Sequence, residues 1–196
     1  MQMIGGGVPS VPGAGEWNLK KTVVMVGMMG AGKTAVGRAL ATRLGVPFLD
    51  SDAEIEAAAT MSIAEIFERD GEAFFRKRET EVMNRLLENQ RGILSTGGGA
   101  FLSGKNRSII SQKGVSVWLD ADLSLLWSSV KHKNTRPLLR TDGPYETLKT
   151  LYEARVPSYR QADLSVRSLP AYSIDDMAGH VIDALLERAD VLEKTT

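Results

Sequence analysis

The eight residues Gly27-Met28-Met29-Gly30-Ala31-Gly32-Lys33-Thr34 constrain this chain more than any other stretch. They follow an apolar run from Thr22 to Val26 and precede a helical pattern that begins at Ala35, so the local order is strand, glycine-rich loop, helix. That order is the context in which G-x-x-x-x-G-K-[ST] means more than a flexible turn. Glycines let consecutive backbone N–H groups turn inward without Cβ clashes, and the following helix adds its positive N-terminal end. Gly30, Ala31, Gly32 and Ala35 then frame an anion cradle. Lys33 brings a mobile positive charge to the β and γ phosphates, and the Thr34 hydroxyl can ligate Mg²⁺. A nucleoside triphosphate is the ligand for which this loop is built.

At 196 residues the chain is long enough for one well-packed α/β domain and short for two. Lys plus Arg and Asp plus Glu both number 24, so no overall field draws the protein to nucleic acid or an anionic membrane. With zero cysteines there are no disulfides and no Cys-ligated metal, which suits a reducing cytoplasm. The apolar runs fall far short of the roughly 20 residues that span a bilayer. Met1 to Gly15, with Gly5-Gly6-Gly7, two prolines and Gly13-Ala14-Gly15, lacks the basic start and apolar centre of a secretory signal. Residues 1–20 are therefore expected to be a flexible tail, with Trp17 its one docking residue, and 21–196 a single domain.

Along the chain, strands alternate with helices. Val36, Leu40 and Leu44 recur at helical spacing and Gly45 stops that helix. Val46 to Leu49 reads as a second strand delivering Asp50-Ser51-Asp52 at its C-terminal end. Residues 53–90 read as almost wholly helical. Ser62 and Glu65 form a capping box there, Asp70-Gly71 interrupts, and Phe75, Val82 and Leu86 face inward. This block looks too polar for a simple crossover and is expected to be an inserted subdomain. Gly92 to Ser95 is a strand ending in Thr96-Gly97-Gly98-Gly99-Ala100, and Val115 to Leu119 a further strand with a helix from Leu123. Residues 131–144 read as a lid loop, Tyr145 to Arg155 as a helix that breaks down at Pro157, Leu164 to Val166 as a fifth strand, and Ser173 with Asp176 as the cap of a last helix. Such alternation predicts a mostly parallel five-stranded sheet with helices on both faces, in which ligands sit at the C-terminal ends of the strands.

Phosphoryl transfer needs a holder for the acceptor, a group to orient its hydroxyl, and positive charge over the moving phosphoryl. Asp50 and Asp52 lie two apart, so on an extended segment both side chains share one side. One can then hold a magnesium-bound water while the other accepts a substrate hydroxyl. Asp120, after an apolar strand, is read as a turn acid capping the helix near Leu123. Gly97-Gly98-Gly99 lets a small ligand touch backbone N–H groups. Arg76, Arg78, Arg136, Arg155 and Arg160 are candidate carboxylate partners. His132 and His180 have no spacing that points to a metal or a triad.

Taken together these pieces resemble shikimate kinase, a P-loop family similar to nucleoside-monophosphate kinases. The pieces are the glycine-rich loop, Asp50-Ser51-Asp52, Ile66-Phe67 through Asp70-Gly71-Glu72 to Phe75-Arg76, Gly97-Gly98-Gly99-Ala100, Arg136-Pro137-Leu138-Leu139 and Arg155-x-Pro157-x-Tyr159. They run in the family's order from Val23 to about Val166. The resemblance implies a three-layer α/β P-loop fold with a helical substrate-binding region at 53–90 and a mobile lid at 131–144. It implies transfer of the ATP γ-phosphate to the 3-hydroxyl of shikimate, with Asp52 as base or orienter and Lys33 and Arg136 as catalytic cations. Arg76 and Arg155 would clamp the substrate carboxylate, Gly98 and Gly99 would present backbone N–H groups, and Arg136 would close on the phosphates. Thr34 would ligate Mg²⁺ directly and Asp50 through water. A cytoplasmic monomer acting on shikimate and ATP, without nucleic-acid or membrane partners, is expected. The chain departs from the family pattern at Ser128-Ser129-Val130-Lys131, where an arginine often stacks on adenine. Gluconate-type kinases share the P-loop but are not expected to combine Asp-x-Asp with three glycines. A GTPase-like switch would need an Asn-Lys-x-Asp motif, which is absent.

Overall fold

The structure is a computed structural model that describes residues 16–132 and 137–195. The tail at 1–15 and the lid residue Arg136 lie outside the described residues. Five strands form one sheet: β2 (Thr22–Val26), β3 (Phe48–Asp50), β4 (Ile93–Ser95), β5 (Gly114–Asp120) and β6 (Leu164–Arg167), in the order β3-β4-β2-β5-β6, with every neighbouring pair parallel. Among the described residues seven α-helices connect or follow them: α1 (Lys33–Leu44), α2 (Ser51–Ala59), α3 (Ile63–Asn89), α4 (Gly104–Lys113), α5 (Leu123–Val130), α6 (Pro144–Tyr159) and α7 (Ile174–Leu186). Two short strands, β1 (Trp17–Leu19) and β7 (Leu192–Lys194), pair antiparallel as a separate ribbon.

Strand side chains alternate between two cores, as the period of a pleated strand requires. Val23 and Met25 of β2 face one core with Val36, Leu40 and Leu44 of α1 and Val181 and Leu185 of α7. Val24 and Val26 face the other, with Met83 and Leu86 of α3, Ile110 of α4, Leu126 of α5 and Tyr159 of α6. The sheet is thus buried on both faces, which is why β2 reads as an unbroken apolar run.

Four expectations are corrected. Residues 17–19, assigned to the tail, form β1 and bury Leu19 at 5% exposure, because β7, which carried no sequence signal, supplies the partner strand. The 53–90 block is not an appendage: α3 packs Met83, Leu86 and Leu87 into the sheet core and turns only its outer face to water. Its interruption is at Gly71, with φ 83° and ψ 170°, a conformation essentially confined to glycine. The α6 helix runs through Pro157 to Tyr159, since burial of Val156 and Tyr159 holds the last turn despite the missing N–H. Finally, Asp120 does not cap α5. It pairs with Arg167 at 3.0 Å, and Asp122 stands at the cap position.

Candidate active site

The parallel register brings the chemistry to one edge. Ser95, the last residue of β4, is level with Asp50 of β3 on one side and Met25 of β2 on the other. The glycine-rich loop, the Asp50–Asp52 turn and the Gly97–Gly99 turn therefore leave adjacent strands at the same height.

In the loop, Gly30 has φ 83°, and a Cβ there would lie 2.7 Å from Val130 Cγ1, so both backbone conformation and packing demand glycine. Lys33 opens α1 and folds back, donating to the carbonyls of Gly27 at 2.7 Å and Met28 at 3.0 Å. Thr34 Oγ1 lies 3.4 Å from Ser95 Oγ. The loop is thus held shaped by its own lysine.

Asp50 and Asp52 do not share an extended segment. Helix α2 starts at Ser51, and Asp50 is its N-cap, its Oδ1 accepting from the N–H groups of Asp52 and Ala53. Asp52 projects from the first helical turn instead. Its Oδ1 is buried and has no hydrogen-bond partner among the described residues. Burial first, and then the nearby Asp50 charge, push the Asp52 carboxyl above the ordinary value, against the pull of Lys33 and Arg76. A partly desolvated carboxylate with an unmatched oxygen is suited to accept a proton or a hydroxyl hydrogen bond.

The three glycines after β4 each face one of the side chains singled out in the sequence. A Cβ on Gly97 would sit 3.1 Å from Asp52 Oδ1, one on Gly98 3.2 Å from Arg155 Nη1, and one on Gly99 2.5 Å from Arg76 Nη2. The same Cβ on Gly98 would also lie 3.8 Å from the Gly27 carbonyl oxygen of the phosphate loop. Acid, two guanidinium groups and phosphate loop therefore converge on one turn, and no β-carbon stands between them. A cleft of about 260 Å³ opens here, its lining including Arg76, Arg155, Gly99, Thr80 and Asn106. Glu72 also lines it and pairs with Arg76 at 3.4 Å, so the cleft offers a small anion the Arg155 guanidinium and the part of Arg76 that its acids leave open. Of the other arginines proposed from sequence, Arg78 pairs with Glu81 and lines a separate cleft between α2 and α3, and Arg160 stands exposed at the end of α6.

Two residues take part in the site without a role assigned from sequence: Glu79, and Tyr159, which enters there only as the end of the Arg155-x-Pro157-x-Tyr159 piece. Glu79, 1% exposed, accepts two bonds from Arg76 Nη1 at 2.9 and 3.1 Å. Burial pushes its carboxyl up while Arg76 pulls it down. The i,i+3 spacing to Arg76 was a readable signal. Tyr159 donates to the Gly98 carbonyl at 2.6 Å, and its i+4 spacing from Arg155 was hidden by the expectation that α6 ends before Pro157.

A family model described as shikimate kinase matches residues 29–186. The chain is 70% identical over 175 residues to the shikimate kinase of Ruegeria pomeroyi, covering 89% of this chain and 90% of that relative. It is 63% identical over 175 residues to that of Cereibacter sphaeroides, covering 89% and 87%. A solved structure of shikimate kinase from Acinetobacter baumannii in complex with shikimate matches with a TM-score of 0.80 at 38% identity, covering 86% of this chain and 94% of that one.

Proposed function

Because this chain belongs to the shikimate kinase family, we propose that it transfers the γ-phosphoryl group of ATP to the 3-hydroxyl of shikimate, giving shikimate 3-phosphate and ADP on the route to aromatic amino acids. The observation that carries the assignment of roles is the convergence of Asp52, Arg155 and Arg76 on Gly97, Gly98 and Gly99, each within 3.2 Å of where a β-carbon would stand, beside the phosphate loop. In the reaction the 3-oxygen bonds to the γ-phosphorus as the bond from that phosphorus to the β,γ-bridging oxygen breaks. Asp52 takes the hydroxyl proton or orients it, a role favoured by its raised carboxyl. Arg76 and Arg155 hold the shikimate carboxylate, with N–H groups of Gly98 and Gly99 on ring hydroxyls. Gly30, Ala31, Gly32 and Ala35 frame the phosphates, Lys33 exchanges its loop carbonyls for phosphate oxygens, and Arg136 adds charge from the lid.

The hydroxyl of Thr34 and the carboxylate of Asp50 are hard oxygen donors that fit magnesium, Thr34 directly and Asp50 through water. A magnesium ion held by these two residues would supply positive charge against the phosphates of the nucleotide. We also infer a monomer working in the cytoplasm, the reducing compartment that a chain without cysteine suits.

Purified protein given ATP, Mg²⁺ and shikimate should release ADP in a coupled assay. Turnover with gluconate and none with shikimate would overturn the assignment.

A further inference from the structure

We propose that Tyr159 is a positioning residue for the acceptor side of the site, its hydroxyl fixing the Gly98 carbonyl and the Arg155 guanidinium relative to one another. The inference rests on the assignment of Arg155 as a carboxylate clamp. Tyr159 is 0% exposed, so it acts through its neighbours. Its hydroxyl donates to the Gly98 carbonyl at 2.6 Å, and Arg155 adjoins the same hydroxyl. A Cβ on Gly98 would lie 3.2 Å from Arg155 Nη1 and 3.7 Å from Tyr159 Oη, so the three groups meet at one point.

The bond to Gly98 sets more than a distance. The Gly98 carbonyl and the Gly99 N–H belong to one planar trans peptide and point in opposite directions. Holding the carbonyl therefore fixes where the Gly99 N–H points, in a turn whose glycines would otherwise leave it free to rotate. The ring itself is locked by stacking on Trp118, with centroids 6.3 Å apart and an interplanar angle of 27°. Trp118 Cδ1 in turn would lie 3.3 Å from a Cβ at Gly27. Burial pushes the phenol further above its ordinary value, so it remains a donor across the working pH range.

Tyr159→Phe removes the hydroxyl and keeps the ring. It should raise the KM for shikimate about tenfold, the weight of one well-placed hydrogen bond, with the KM for ATP unchanged within about twofold. In an Arg155→Ala background the same change should add less than about twofold, because the two residues act as one unit. Val156→Ala, in the same helical turn, supplies the comparison for lost packing: it should lower Tm and leave the shikimate KM unchanged. Tyr159→Phe with a normal shikimate KM, full additivity with Arg155→Ala, or an equal KM rise in Val156→Ala would each overturn the proposal. Arg155→Ala alone should raise the shikimate KM about a hundredfold, in line with loss of a charge-assisted pair. If it did not, the clamp assignment itself would fall and this proposal with it.

Discussion

Asp52 is a buried carboxyl held at a cost in stability. Its buried, unmatched Oδ1 and the neighbouring Asp50 hold its carboxyl above the reference value of 3.8. Between that value and the raised native one, the folded protein holds a proton that the unfolded chain has lost, so stability falls as pH rises through this window. Above it the charged form is retained at a penalty. Asp52→Asn should therefore raise Tm at pH 7 while lowering kcat by about 10² to 10⁴. The two proteins' Tm values should converge as pH falls towards the reference value, where wild-type Asp52 is also neutral. Calorimetry across pH and steady-state kinetics check both halves. A variant less stable than wild type at pH 7, or one with near-normal kcat, would contradict the account. The same protonation should shift the acidic limb of wild-type kcat/KM upward in pH from the ordinary aspartate value.

Among the elements, the turn after β4 does the most with the least. Its glycines are needed because side chains from three different helices close on it: Asp52 from α2, Arg76 from α3 and Arg155 from α6. A methyl group at Gly99 would meet the Arg76 guanidinium at 2.5 Å, whereas one at Gly97 would press on the Asp52 carboxylate at 3.1 Å. The two substitutions should separate kinetically. Gly99→Ala should raise the shikimate KM at least about tenfold with the ATP KM near normal, and Gly97→Ala should chiefly lower kcat, by about tenfold, through a misplaced acid. Steady-state kinetics with each substrate varied in turn distinguishes them, and identical phenotypes would mean that the turn works only as a unit. Helix α3 serves the same end. The break at Gly71 lets its second half carry Arg76, braced by the buried Glu79, to the glycine turn while Met83 and Leu86 anchor it in the core.

Over the whole molecule, two cores divide the labour. The core behind the sheet, built with α1 and α7, is closed by the β1–β7 ribbon, where Leu19, Val191 and Leu192 are buried. The Lys20–Glu193 and Lys21–Asp190 pairs beside it are part-exposed and add little. The other core carries the helices that reach the cleft beside the glycine turn. Leu19→Ala should accordingly cost about 2–4 kcal/mol in urea denaturation and leave kcat and both KM values unchanged. A change in shikimate KM would show that the ribbon side communicates with the site. Among the described residues no helix is long and apolar enough to cross a membrane.

The sequence by itself determined the parts whose physics is local. The phosphate loop needs glycines and a lysine at fixed spacing, Ser62 with Glu65 and Ser173 with Asp176 cap their helices within four residues, and Gly71 breaks α3 by its own backbone freedom. The family's motifs then identified Asp52, Arg76 and Arg155 as a set, although nothing in their spacing along the chain brings them together. Only the tertiary structure decided the rest: that Asp52 lies on a helix rather than beside Asp50 on a strand, that α6 continues past Pro157, and that residues 17–19 find a strand at the other end of the chain. For α6 and for residues 17–19, burial or pairing with a remote segment outweighs the local preference, through contacts that the linear chain does not display; for Asp52 the deciding bond is local, the Asp50 cap that starts α2 one residue after the strand.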